Sequence, residues 1–344
     1  MNTPNLVGMT LEKLKLVASD AGLKPYAANQ IASWLYKKFA TDISQMTDIS
    51  AKARLWLQQN YHIEWHEPIS RQVSVDGTIK YLFRAGENRY VESVYIPEED
   101  RKTLCVSSQV GCKMGCKFCM TAQQGFQQNL SAGEILNQLV SIPDRDQISN
   151  IVFMGMGEPM DNLQNVLDCL EILTSDYGFG WSYQRITVSS IGVMPAMQQF
   201  LEKSKCHLAI SLHSPYDEER QELMPMQKIF PASKIINELK KWDFSHQRRI
   251  SFEYIVFKSL NHSEAHAKAL ARLLQGLPCR VNLIRFHPIP DSPLQGASDA
   301  FLNAFCDSLN EKGITTTIRK SRGLDILAAC GMLSTKEMQN KNDK

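Results

Sequence analysis

The sequence predicts an α/β protein in which a partial, open β/α barrel follows a small helical domain. Three observations predict this fold class. Strand-like and helix-like segments alternate from about residue 98 of the 344-residue chain, which is typical of a parallel sheet with outer helices. About six such units occur, fewer than the eight of a complete barrel. Before residue 62, apolar residues recur at helical spacing.

Residues 1–62 are predicted to form the helical accessory domain. One helix is expected from Leu11, a second over Tyr26–Phe39 and a third over Ile49–Tyr61. Residues 1–60 carry seven basic and four acidic side chains, a net charge of +3. This surplus fits solvated helix faces, and it also fits a surface that follows an RNA backbone. Composition alone does not choose between these two interpretations.

Residues 63–97 are predicted to be a short β region that links this domain to the core. The runs Ile69–Val75, Ile79–Arg84 and Tyr90–Ile96 are strand-like and are separated by glycine-containing turns such as Asp76-Gly77. Consecutive strands joined by short turns pair in antiparallel fashion.

The core is predicted to run from residue 98 to residue 344. Its strands are expected at Leu104–Ser107, Ile151–Met154, Arg185–Ser189, Leu208–Leu212, Ser251–Phe257, Asn282–Phe286 and Thr315–Ile318. The first helix is expected from Ser131, where Glu134 completes a capping box. Later helices are expected at about residues 162–174, 194–203, 233–242, 263–275 and 298–312. Functional residues of such folds gather at the carboxyl ends of the strands.

The composition predicts a globular protein of the cytoplasm. Hydrophobic residues make up 43% and charged residues 22% of the chain, and the net charge is only +2. We find neither a long apolar run nor a signal-peptide pattern, so no membrane contact is expected. Nine cysteines in a protein that is not exported argue for reduced thiols. A small net charge does not exclude RNA, because a local basic patch can bind it.

The most informative motif is Cys112-x3-Cys116-x2-Cys119, which follows the first core strand. Thiols at this spacing can converge only if the backbone loops around a common centre, and converging thiolates are metal or iron–sulfur ligands. A compact triad leaves one metal position open, as a reactive site requires. Alternatively, Cys105 could complete a structural site with four thiolates.

Polar residues at other strand ends are predicted to lie near this loop. The turn Gly157-Glu158 follows the second core strand, and its carboxylate could accept hydrogen bonds from an ammonium group. Further hydroxyl, amide and imidazole groups follow later strands, and the expected ligand-binding set is Gly157, Glu158, Ser189, Ser211, Leu212, His213 and His287. Any one of these residues alone also fits a structural role. We expect them to form one ligand-binding site because all of them lie at the same edge of the sheet.

The triad resembles that of the radical S-adenosylmethionine (SAM) enzymes, and Gly157-Glu158 resembles the element that binds the SAM amino group. Longer segments are similar to the RNA adenine-C2 methyltransferase family, namely Val91–Pro97, Cys105–Cys112, Phe118–Phe126, Phe153–Pro159, Ser211–His213 and Ala328–Gly331. The resemblance covers nearly the whole chain. It implies an open barrel of the radical SAM type.

The resemblance also implies a cofactor set and substrates. Cys112, Cys116 and Cys119 would hold a [4Fe–4S] cluster, and two SAM molecules would be consumed per methylation. The substrates would be an adenine in the peptidyl-transferase centre of 23S rRNA and an adenine beside the tRNA anticodon. An electron donor such as flavodoxin and a monomeric state are expected as well.

Three further residues receive catalytic roles from the resemblance. Cys330 would take a methyl group from SAM and carry it to C2 of adenine. Cys105 would then release the product by forming a disulfide with Cys330, and Glu92 would accept a proton. From the sequence itself, Cys330 could be a core thiol, but Gly331 and the nearby Arg319, Lys320 and Arg322 favour an exposed loop. Four other cysteines are expected in the core: Cys169, Cys206, Cys279 and Cys306.

The chain departs from the family pattern at Met120, His287 and Leu327. His287 stands where the family often has an asparagine that contacts SAM, so the departures concern the pocket and not the reaction. Three alternatives remain open at this point. One is the sister family that methylates C8 of the same rRNA adenine, the second is a radical SAM enzyme with a substrate other than RNA, and the third is an RNA-binding protein with a structural metal.

Overall fold

A computed structural model describes residues 3–247, 249–290 and 292–335 of this chain. The last residues of the predicted core, 336–344, lie outside this description. Three helices form the N-terminal part: α1 (Leu11–Asp20), α2 (Ala27–Tyr36) and α3 (Ala51–Asn60). All three helices that the apolar spacing predicted are present. Leu14 and Val17 of α1 and Ile31 and Leu35 of α2 are almost fully buried, whereas Leu16 of α1, which the apolar spacing also included, is 68% exposed.

Ten strands form one sheet. The first three are β1 (Ser70–Val73), β2 (Ile79–Arg84) and β3 (Tyr90–Pro97), which pair in antiparallel fashion as predicted. The core strands are β4 (Lys102–Cys105), β7 (Asn150–Phe153), β8 (Ile186–Ser190), β9 (His207–Ser211), β10 (Ile250–Val256), β11 (Cys279–Arg285) and β12 (Thr315–Ile318). The strand order is β1-β2-β3-β4-β7-β8-β9-β10-β11-β12.

Neighbouring core strands from β4 to β12 are all parallel. Strands β1 and β12 stand at the two ends of the sheet order, so the sheet is an open barrel and the predicted fold class is confirmed. The β1–β3 strands extend this same sheet, because β3 pairs with β4. The sequence identified these strands but did not show that they continue the core sheet.

Eight further helices follow in the described residues; α4 lies in the cysteine loop, and the others lie between consecutive parallel strands along the chain. The eight helices are α4 (Met120–Gln124), α5 (Ala132–Val140), α6 (Leu163–Thr174), α7 (Ala196–Lys203), α8 (Asp217–Leu223), α9 (Ala232–Leu239), α10 (Glu264–Leu274) and α11 (Asp299–Glu311). The predicted capping box at α5 is present, with the Ser131 and Glu134 side chains bonded to each other's backbone N–H. Within the described residues no helix is long and apolar enough to cross a membrane.

The sequence missed the shortest elements. Helices α4 and α8 and the two-residue strands β5 (Gln109–Val110) and β6 (Gln128–Asn129) are too short to show a period. Strand β11 begins at Cys279, three residues before the predicted start, because its pairing with β10 runs from Ile250 opposite Cys279. Cys169, Cys206 and Cys306 are buried as expected, whereas Cys279 is partly exposed.

The N-terminal helices dock on the outer face of α5 and α6. A side chain at Gly8 would lie 2.2 Å from the backbone nitrogen of Gly133. Glycine at both positions therefore allows the two backbone segments to pack in direct contact. Lys13 of α1 forms an ion pair with the buried Asp168 of α6 at 2.5 Å. The helices thereby share one hydrophobic core with the barrel.

Candidate active site

A cleft opens at the carboxyl ends of the parallel strands. Including its open mouth, the cleft encloses about 940 Å³. Nine of the residues singled out from the sequence line it: Cys112, Cys116, Cys119, Gly157, Glu158, Ser189, Ser211, His213 and Cys330. The common sheet edge therefore brings most of the predicted set together, as the argument from strand ends expected.

The cysteine loop leaves the sheet through the β5–β6 hairpin. Strand β5 pairs with β6, so the loop between them closes on itself. Gly111 has a left-handed φ of 71°, and a side chain there would lie 1.6 Å from the Gly125 carbonyl oxygen. Only glycine fits this crossing of the chain. The loop thus presents Cys112, Cys116 and Cys119 to the same cleft.

The three thiols are close enough to affect each other's ionisation. Burial raises the pKa of Cys112 to about 12, and it also raises the pKa of Cys116 and Cys119. Repulsion from the neighbouring thiols adds to the rise at Cys116. Buried thiolates need a compensating positive charge, which bound iron supplies. The donor set therefore fits an iron–sulfur cluster.

Cys105 stands apart from this triad. It is buried at the end of β4, and among the described residues it is not part of the cleft lining. Burial raises its pKa to about 12, and the neighbouring charged side chains that affect it are Cys330 and Arg319, not the triad. This placement disfavours the four-thiolate structural site that the spacing had left open.

The turn after β7 holds a buried carboxylate in the cleft. Gly157 has a φ of 97°, and a side chain there would lie 2.5 Å from Cβ of Gln109. The Glu158 carboxylate accepts the backbone N–H groups of Met160 and Ile191, each at 3.0 Å. Burial raises the pKa of Glu158 to about 7. A carboxylate fixed in this way can pair with an ammonium group.

His213 follows β9 and is neutral. It adopts a left-handed φ of 61°, and its Nδ1 accepts the N–H of Ile255 at 3.0 Å. Burial and the nearby Arg220 lower the pKa of His213 to about 3. Because Nδ1 is an acceptor, Nε2 carries the proton and is the ring's donor. Its neighbour Leu212 instead points into the hydrophobic core and contributes only backbone groups here.

Arg220 was not identified from the sequence. It is 1% exposed and donates hydrogen bonds to the carbonyls of Ile191, Ser211, Leu212 and Phe230 and to Gln227. The guanidinium thereby ties the ends of β8 and β9 together beneath the cleft. Its charge also opposes the rise in the pKa of Cys116. An arginine in a polar segment gives no sequence signal for such burial.

Cys330 lies on an exposed loop and lines the cleft, so it is not a core thiol. Arg319, at the end of β12, contacts the carboxylate of the buried Glu253 at 3.3 Å. The Cys330 thiol and Glu253 raise the pKa of Arg319. The guanidinium therefore lies near both Cys330 and Cys105, and its charge opposes the rise in the pKa of Cys105 that burial causes.

Comparison with known proteins agrees with this geometry. Residues 106–270 match the family model of the radical SAM superfamily, and residues 4–63 match a ribosomal RNA large subunit methyltransferase N-terminal domain. A protein of Parabacteroides distasonis named probable dual-specificity RNA methyltransferase RlmN is 60% identical over 330 residues, 96% of each chain. The chain belongs to the RlmN family.

Other RlmN relatives span the same length. The dual-specificity RNA methyltransferase RlmN of Syntrophus aciditrophicus is 43% identical and covers 99% of each chain. The crystal structure of a radical SAM methyltransferase from Sphaerobacter thermophilus matches with a TM-score of 0.87 at 37% identity, over 96% of this chain and 99% of that one. As a radical SAM protein, this RlmN-family member uses a [4Fe–4S] cluster and SAM.

Glu92 lies under the segment that follows Cys330. It is buried, and its carboxylate pairs with Lys80 at 2.9 Å and accepts the N–H of Ser334 at 3.0 Å. Burial raises the pKa of Glu92, while Lys80 opposes the rise. A carboxylate with a raised pKa suits the proton acceptor that the family resemblance implies. In the described chain Glu92 lies outside the lining of the cleft.

A second, smaller cleft shares Cys330 with the first. His287 lines this second cleft and not the first, and its Nε2 lies 2.7 Å from Ser321 Oγ. The departure at His287 therefore affects the second cleft in this structure. The lining is rich in cationic side chains and comprises Ile96, Ile284, Arg285, His287, Arg319, Lys320, Ser321, Arg322, Ala328, Ala329 and Cys330.

Replacing Glu158 with alanine is expected to weaken SAM binding about ten- to hundredfold, because a charge-assisted hydrogen bond contributes roughly 1.5–3 kcal/mol. The iron content should not change. Since the pKa of Glu158 is about 7, affinity should also fall as the carboxylate is protonated below that pH. Calorimetric titration of the reconstituted protein with SAM measures both effects. Glu158→Gln removes the charge but keeps an acceptor oxygen, so it distinguishes loss of the charge from a disturbed fold. Unchanged SAM affinity in both variants would rule out a role of Glu158 in SAM binding.

Proposed function

We propose that this chain methylates C2 of adenine in RNA, at adenosine 2503 of 23S rRNA and adenosine 37 of tRNA. One observation carries the proposal: an exposed thiol, Cys330, lies between the cysteine-triad cleft and a second, cationic cleft. A methyl carrier at the boundary of two clefts can meet SAM on one side and RNA on the other. Family membership supports the substrate class.

The chemistry of the acceptor explains why a carrier is needed. C2 of adenine is an electron-poor aromatic carbon and does not displace the SAM methyl group directly. Cys330 can do so as a thiolate: its sulfur forms a bond to the methyl carbon while the methyl–sulfonium bond breaks. The guanidinium of Arg319 places a positive charge beside this sulfur. Cys112, Cys116 and Cys119 would hold the [4Fe–4S] cluster, which would supply the electron that generates a radical from a second SAM.

The remaining residues complete the transfer. The radical from the second SAM removes a hydrogen atom from the methyl group on Cys330, and the resulting methylene radical adds to C2 of adenine. The adduct gives up one electron, which the oxidised cluster would accept, and Glu92 accepts the proton that leaves C2. The Cys105 thiolate then attacks the Cys330 sulfur and forms a disulfide, which breaks the sulfur–carbon bond. The electron pair of that bond remains on the carbon, which takes up a proton and becomes the methyl group. A reductant restores the two thiols.

RNA is held on two surfaces in this proposal. The second cleft offers Arg285, Lys320 and Arg322 for backbone phosphates. The helical domain contributes the small basic surplus of residues 1–60. We also propose that the enzyme is a cytoplasmic monomer and that a donor such as flavodoxin supplies its electrons.

Mass spectrometry of digested rRNA and tRNA tests the proposal. RNA from a strain that lacks this gene should contain no 2-methyladenosine at the two positions, and expression of the wild-type chain should restore it. A Cys330→Ala chain expressed at the same level is the control. Appearance of 8-methyladenosine would assign the chain to the chemistry of the sister family, and unchanged RNA would contradict an RNA substrate.

A further inference from the structure

The loop that carries Cys330, residues 322–335, follows β12 at one end of the sheet order and reaches the segment between β1 and β2 at the other. Near its start it meets the turn between β1 and β2, residues 74–78, which we call the β1–β2 turn. The N–H of Gly323 donates to Asp76 Oδ2 at 3.0 Å, and the N–H of Val75 donates to Asp325 Oδ2 at 3.1 Å. Ser74 Oγ donates to the other Asp325 oxygen. Two carboxylates thus join segments about 250 residues apart.

The contact fixes the backbone on both sides. Asp76 also accepts the N–H of Thr78 at 2.9 Å, and although partial burial opposes it, the bonds from Gly323 and Thr78 lower the pKa of Asp76 to about 2. Gly323 adopts a φ of 61°, and a side chain there would lie 2.8 Å from Cβ of Ala328. The N–H of Ala328 donates back to Gly323 at 2.8 Å. Residues 323–328 therefore form a turn that a backbone hydrogen bond closes.

The far end of the loop is held by different residues. Leu333 O accepts a bond from Thr121 Oγ1 at 2.7 Å, and Gly331 O accepts the N–H of Met120 at 2.8 Å. These partners adjoin the cysteine triad, so they follow the position of the cluster loop. The β1–β2 turn, in contrast, supplies no residue to the lining of either cleft in the described chain. Its contact with the loop can act only through the loop's position.

We propose that the β1–β2 turn anchors the Cys330 loop and that Asp76 and Asp325 are positioning residues for methyl transfer to Cys330. This inference rests on the proposed role of Cys330 as the methyl carrier. The exposed thiol lies between two anchored segments, and a displacement of about 1 Å at a reacting atom can cost up to about a hundredfold in rate. Removing the contact with the β1–β2 turn does not change the Cys330 thiol itself, but it increases the range of positions that the thiol occupies.

Hydrogen–deuterium exchange on the full chain without cofactors tests the anchor itself. In an Asp76→Ala, Asp325→Ala double variant, the peptides that contain Val75 and residues 323–333 should exchange at least about tenfold faster, because two of their amides lose acceptors. The exposed Asp307→Ala on α11 is the matched control and should exchange like the wild type. Ser74→Ala is a milder second variant, should the double variant not fold.

The second measurement uses reconstituted protein and SAM without RNA. The mass gain of one methyl group at Cys330 should appear about tenfold more slowly in the double variant. SAM affinity should stay within about twofold, and the Asp76→Asn, Asp325→Asn double variant, which keeps an acceptor oxygen at each position, should retain most of the rate. Unchanged exchange, or faster exchange with an unchanged methylation rate, would overturn the anchor. If the wild-type chain itself gains no methyl group, the carrier mechanism fails instead.

Discussion

Replacing Cys330 with alanine is expected to abolish RNA methylation while the iron–sulfur cluster stays in place. The reason is that Cys330 is the exposed thiol beside both clefts, whereas the triad that fits the cluster is made by other cysteines. Without this thiol there is no nucleophile for the SAM methyl group and no covalent link to RNA. Product analysis should find no methyladenosine, and the iron content should equal that of the wild type.

Cys105→Ala is expected to fail at a later step and to leave RNA bound to the protein. Its Cys330 can still take the methyl group and form the bond to adenine, but the second thiol needed for release is missing. Disulfide formation requires the two Cα atoms to come within about 7 Å during turnover. Cys330 contributes to the raised pKa of Cys105, which places the two side chains near each other in the fold.

A denaturing gel distinguishes the two variants. After incubation with RNA, SAM and reductant, a nuclease-sensitive upward shift should appear for Cys105→Ala and not for Cys330→Ala. Cys279→Ala, which removes a partly exposed thiol elsewhere, is the control and should react like the wild type. If Cys330→Ala still methylates adenine and neither variant traps RNA, the methyl-carrier mechanism does not apply to this chain.

The features that local sequence determines were predicted correctly. The core strands follow from apolar runs between turns, and the capping box at α5 follows from two residues three positions apart. The triad was recognisable because its three thiols lie within eight residues. Because the parallel strands all end at one edge of the sheet, Glu158 and Ser211 line the same cleft.

Features that depend on distant residues could not be predicted in this way. Arg319 contacts Glu253 across 66 positions, and Asp325 contacts Val75 across 250. A charged residue in a buried strand, such as Glu253, is recognised only when its partner is known. His287 illustrates the same limit: its place after β11 was correct, but the path of the C-terminal loop decides that it lines the second cleft.

Replacing any one of Cys112, Cys116 or Cys119 is expected to remove the cluster and with it all SAM cleavage. Each of these thiols is one of only three protein ligands in the proposed site, so an alanine leaves an iron without a donor. Cys116 is buried, and the charge of Arg220 opposes the rise in its pKa that burial and the other two thiols cause. Protein purified without oxygen should hold about four irons and be brown, whereas the variants should be colourless.

Cys105→Ala is the matched control for these variants, since it removes a buried thiol from the same segment of the chain. It should keep its colour and its iron, because Cys105 interacts with Cys330 and Arg319 and not with the triad. Iron is measured by a colorimetric assay and SAM cleavage by the amount of 5′-deoxyadenosine formed. Loss of iron from Cys105→Ala would instead indicate four protein thiolates on the metal, and the open iron position that SAM requires would then not exist.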